Sequence, residues 1–162
     1  MTLLSVILIG LSLSMDAFAV SVGAGISVKG LKVFYMVRAS LFFGFFQFIM
    51  PVAGWYLGRS FADYIQSFDH WIAFGLLFFI GAKMIWETLK DSESREDIRS
   101  LPVLLTLSVA TSIDALAVGL SFSILSQGIW FPAAVIGLIT FTVCLSGFEF
   151  GRRAGARLGK WA

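Results

Sequence analysis

The chain has 162 residues, of which 58% are hydrophobic and 14% charged, and its formal net charge is +2. A soluble domain is about half apolar and about a quarter charged, so this composition excludes one and specifies an integral membrane protein. The weak net charge gives no footing for nucleic acid, and the single cysteine, Cys144, excludes an internal disulfide.

A membrane-spanning helix needs about 20 mostly apolar residues. In chain order the segments of that kind are 3–27, 36–58, 71–89, 101–125 and 129–150. They are too long for strands and lack alternation of period two. No base precedes Leu3, and the first apolar run continues past Asp16. A cleavable signal is therefore not expected, and the segment is read as a retained first span. Trp55, Tyr56, Trp71, Trp86 and Trp130 fall near predicted span ends, where amphipathic rings sit at the interface. The first connection carries Lys29, Lys32 and Arg38, the third Lys90, Arg95 and Arg99, and the tail Arg152, Arg153, Arg157 and Lys160. The second has only Arg59, and the fourth has no base. The positive-inside rule then places the N-terminus outside and the basic loops in the cytoplasm.

The chain repeats itself. Ser14-Met15-Asp16-Ala17-Phe18-Ala19-Val20 in the first span returns as Ser112-Ile113-Asp114-Ala115-Leu116-Ala117-Val118 in the fourth, 98 residues later. Gly44, Gly54, Gly58 and Arg59 return as Gly137, Gly147, Gly151 and Arg152 at an offset of 93. The expected architecture is all-α, built from two repeat units: residues 1–90 with three helices, a polar cytoplasmic linker 91–100, and residues 101–162, truncated to two helices. An odd number of spans per unit inverts the second unit, as in many transporters. The counterpart of 71–89 would begin near residue 164, beyond Ala162. The sequence as written is thus expected to hold five spans, with the sixth helix of a 3+3 inverted repeat absent.

A carboxylate at the centre of a span costs about 2.5–3.5 kcal/mol on insertion scales. Asp16 and Asp114 incur that cost at matched places and are the candidate cation ligands. Ser12, Ser14, Thr111 and Ser112 add hydroxyl oxygens close by, Gln47 an amide one turn before Pro51, and Thr140 a hydroxyl at the position matching Gln47. Lys83 is a candidate charge partner, with snorkelling or pairing to Glu87 as its simpler role. An all-oxygen inventory suits a hard cation over zinc or copper. Two carboxylates balance one divalent ion and repel without it, which offers a route to proton coupling. Gly23, Gly25, Gly54 and Gly147 are read as packing sites, and Cys144 as an apolar filler.

At these residues the chain resembles the bacterial manganese efflux pump family (MntP type) of the lysine-exporter superfamily. The likeness rests on the two aspartate motifs, on Gly44-Phe45-Phe46-Gln47 through Met50-Pro51 to Gly54-Trp55, and on Gly81-Ala82-Lys83-Met84-Ile85. It implies a six-helix inner-membrane exporter of Mn²⁺ with Asp16 and Asp114 in the path. Manganese enters only through this resemblance. The expected function is secondary, proton-coupled Mn²⁺ export, with no permanently bound cofactor, no enzymatic activity, the lipid bilayer as surroundings, and homo-oligomers allowed. The alternatives are an inactive truncated remnant or assembly subunit, and an exporter of another hard cation or small solute. An intramembrane aspartyl protease is disfavoured, because neither Tyr-Asp nor Gly-x-Gly-Asp surrounds either aspartate.

Overall fold

The computed structural model describes residues 2–28, 30–65 and 98–158, all of the regular structure among them helical. The predicted third span, with Trp71, Lys83 and Trp86, lies outside the described residues, as does most of the linker. The helices are α1 (Leu3–Leu13), α2 (Met15–Ser27), α3 (Val33–Ile65), α4 (Leu101–Ala110), α5 (Ile113–Ile124) and α6 (Trp130–Leu158).

Local chemistry sets the helix ends. The Thr2 hydroxyl accepts from the Ser5 N–H and caps α1. Ser100, in extended backbone, precedes α4, whose first turn holds Pro102, where a missing N–H costs no helical bond. Gly30, at φ +67°, supplies the left-handed residue between α2 and α3. Ser126, at φ 52°, does the same after α5.

Val33–Ser60 of α3 and Trp130–Arg157 of α6 are each long and apolar enough to cross a membrane. Twenty-eight residues make a helix of about 42 Å, against a hydrocarbon core of about 30 Å. The pairs α1–α2 and α4–α5 meet the same criterion jointly, and both are bent by 41°. The predicted span 36–58 therefore lies inside α3, and 129–150 lies inside α6 but for its first residue, Ile129. The spans predicted as 3–27 and 101–125 are each two helices. Phe34, Phe131, Leu138 and Ile124 are 62–72% exposed. That much outward aromatic and aliphatic surface suits lipid and not water. The chain is a multi-pass membrane protein.

Packing is dominated by α2 along α6, α3 along α5, and α3 across α6. Glycines set these approaches. A Cβ on Gly44 would lie 2.8 Å from the Gly137 carbonyl oxygen, and one on Gly137 would lie 2.8 Å from that of Gly44. Gly54 lies against the Leu116 carbonyl and Gly58 against Leu120, while Gly147 lies against Phe18 and Gly151 against Val22. These contacts recur at the 93- and 98-residue offsets of the sequence repeat. They run in ascending order on both partners, so α3 is parallel to α5 and α2 to α6. Gly44 against Phe141 and Gly137 against Phe48 run in opposite order, so α3 and α6 are antiparallel. Gly25 also packs closely, on Phe148 and Gly151. Among the described residues Gly23 does not: a Cβ there meets nothing within 4 Å, which runs against its expected packing role. Cys144 is fully buried in a cluster with Ala17, Phe43 and Phe148, as expected of an apolar filler.

Candidate cation path at two broken spans

The two breaks fall at the repeated motif. Between α1 and α2, Ser14 donates its hydroxyl to the Leu11 carbonyl at 2.8 Å. Between α4 and α5, Thr111 donates to Leu107 at 2.9 Å, and Ser112 to Ser108 at 2.6 Å. Ser108 itself donates to Leu104 at 2.7 Å. Hydroxyls bonded back to carbonyls three or four residues earlier compete with the helical ladder and bend it. Ser14, Ser112 and Ser108 are fully buried and Thr111 nearly so, which leaves these hydroxyls no water to bond instead.

Each break starts a new helix inside a bent apolar pair, and each aspartate is the second residue of that helix. Asp16 lies in the first turn of α2 and Asp114 in the first turn of α5. The positive end of a half-helix dipole favours a carboxylate there. The Ala115 N–H donates to Asp114 Oδ1 at 2.8 Å. Both aspartates are exposed, and they lie near enough for their charges to interact. Among the described residues no group of three or more His, Cys, Asp and Glu is assembled.

The other candidate ligands are distributed unevenly. Gln47 is fully buried, and its Nε2 donates to the Leu13 carbonyl at 2.8 Å, across from α3 to the last residue of α1. Among the described residues its buried Oε1 has no partner. Thr140, matched to it, is buried and donates to Ile136 of its own helix at 3.0 Å. Ser12 is exposed on α1, on the far side of the break from Asp16. The 41° bend at Ser14 falls between Ser12 and Asp16. Lys83 lies outside the described residues. Sequence reasoning missed the breaks themselves, the Gln47–Leu13 link and the role of Ser108. The available signal was the cluster of hydroxyl residues just ahead of each aspartate.

The edge between α3 and the α4–α5 pair is closed at each end by a side chain. Trp55 Nε1 donates to the Gln127 carbonyl at 2.8 Å, with the Arg59 guanidinium 4.7 Å from its ring centre. At the opposite end Arg38 donates to the Arg99 carbonyl at 2.6 Å and stacks on Tyr35 at 5.1 Å.

A family model described as "Putative manganese efflux pump" matches residues 30–162. A protein of Syntrophotalea carbinolica named "Putative manganese efflux pump MntP" is 47% identical over 156 residues, covering 94% of this chain and 82% of its own. One of the same name from Gloeothece citriformis is 47% identical over 159 residues, covering 96% and 83%. Another, from Clostridium perfringens, is 46% identical over 178 aligned positions. No solved structure matches. Bent apolar spans, aspartates at the head of each half-helix and this likeness along nearly the whole chain agree: it belongs to the manganese efflux pump family, transporters and not enzymes.

Proposed function

We propose that the chain exports Mn²⁺ from the cytoplasm by a secondary, proton-coupled mechanism, with Asp16 and Asp114 as the charged ligands of the path. The observation that carries this reading is the matched placement of the two carboxylates. Both sit second in a half-helix, at breaks of equal bend, within electrostatic reach of each other. Exposed carboxylates in mid-span are tolerable only against water or protein, so they line a path open to water. Together they neutralise one divalent ion. When it leaves, their repulsion is relieved by protonation, and protons return as manganese goes out. Ser12, Ser14, Thr111, Ser112, Thr140 and Gln47 are the neutral oxygens from which the remaining ligands are drawn, with Lys83 as a charge partner.

The same reading takes residues 1–90 and 101–162 as inverted repeat units joined by 91–100. The parallel course of α3 and α5 supports it, since a return crossing must lie between them, the role we give to 71–89. The N-terminus is then outside the cytoplasmic membrane and the basic loops inside. Two like units around one site suit alternating access.

Cellular manganese content is the test. In manganese-stressed cells expressing the chain, the metal content should fall far less with Asp16→Asn or Asp114→Asn than with wild type. Equal membrane levels of all three proteins are the control. Wild-type content with both variants would reject the site.

A further inference from the structure

Gln47 couples two things that no other candidate ligand couples. Its Nε2 crosses from α3 to hold the Leu13 carbonyl, immediately before the break that leads to Asp16. Its Oε1, on the same fully buried side chain, has no donor among the described residues. Pro51, one turn later, has no N–H to offer the Gln47 main-chain carbonyl, so a second oxygen of this residue also lacks its helical donor. The second half of the chain is built differently. Thr140, matched to Gln47, bonds to its own helix, and Thr111, matched to Leu13, closes the other break from within α4. The first break, closed by Ser14 from its own helix, is therefore also held from a neighbouring helix, whereas the bonds described at the second are internal.

Two aspartates give any divalent cation the same charge balance and so discriminate weakly among divalent ions. Discrimination falls to the neutral ligands, whose hardness separates manganese from zinc and copper. A buried amide oxygen with no donor is such a ligand. We propose that Gln47 is the specificity-determining and positioning residue of the path: Nε2 fixes the break ahead of Asp16, and Oε1 receives the hard cation or one of its waters. This rests on the assignment of Asp16 and Asp114 as the path.

The test is uptake of Mn²⁺ and Zn²⁺ by inside-out membrane vesicles from cells making the full chain. Gln47→Met keeps the length of the side chain, replaces the hard oxygen with a soft thioether and removes the donor. Its ratio of Mn²⁺ to Zn²⁺ uptake should drop at least about fivefold. Gln47→Glu keeps an oxygen and loses the donor. It should retain the preference for Mn²⁺ while amide hydrogen exchange at residues 15–18 speeds up. Should Gln47→Met fail to insert, Gln47→Asn, which keeps the amide but withdraws it by one methylene, should reduce Mn²⁺ uptake more than Zn²⁺ uptake. Proportional loss of both ions, or no loss, in the Met variant (or in Asn, where Met does not insert) would reduce Gln47 to packing and overturn the proposal. Asp16→Asn in the same vesicles separates the two ideas. If it transports like wild type, the path assignment fails. If it is inactive while the Gln47 variants keep the wild-type ratio, only the Gln47 proposal fails.

Discussion

Two glycines of α2, two residues apart, show how far a residue's role depends on what faces it. At Gly25 an added Cβ would lie 2.7 Å from the Phe148 carbonyl oxygen and 3.0 Å from the Gly151 Cα, both backbone atoms that cannot swing aside. At Gly23 it would meet open space. Gly25→Ala should therefore destabilise the protein by about 1–3 kcal/mol through overpacking. Gly23→Ala should stabilise it by up to about 1 kcal/mol through helix propensity alone. Thermal unfolding in detergent measures both, and a harmless Gly25→Ala would mean that α2 and α6 are farther apart than described. The sequence showed these glycines as equals, because it says which residues are small but not which face of the helix has a neighbour. The aspartates were legible for the opposite reason: a mid-span carboxylate is costly wherever it points, so its presence alone marks a candidate site.

At the scale of elements, apolar run length located α3 and α6, and the matching glycines anticipated that the two helices carry equivalent contact surfaces. The breaks were hidden. Run length is an average over about 20 residues, and a hydroxyl in a span can bond to its own helix or to a neighbour without changing that average. Only the fold decides that Ser14 turns back to Leu11 while Gln47 reaches across to Leu13. The parallel course of α3 and α5 gives a direct prediction. A Cβ on Gly58 would lie 2.7 Å from that of Ser123. In a Cys144→Ser background, Gly58→Cys with Ser123→Cys should cross-link under mild oxidation, and Gly58→Cys with Ile113→Cys, at the far end of α5, should not. The reverse pattern would mean that the two helices run antiparallel and would remove the support for inverted units.

For the whole molecule, the distribution of bases sets the orientation. Lys32 and Arg38 stand at the start of α3 and Arg99 just before α4, and the Arg38–Arg99 contact gathers the two helix starts at one end. Single cysteines at Lys32 and Arg99, again without Cys144, should react with a membrane-impermeant thiol reagent only after the cells are opened, whereas one at Thr2 should react in intact cells. Labelling in intact cells at Lys32 and Arg99 would overturn the positive-inside assignment. The central claim is that the paired carboxylates carry manganese across the bilayer against protons. Its most direct test is Mn²⁺ flux in sealed proteoliposomes under an imposed pH gradient. The account predicts flux that follows the gradient in the wild-type protein and falls at least about tenfold, or 1.4 kcal/mol, in Asp16→Asn and in Asp114→Asn. Undiminished flux in both variants, or wild-type flux indifferent to the gradient, would contradict it.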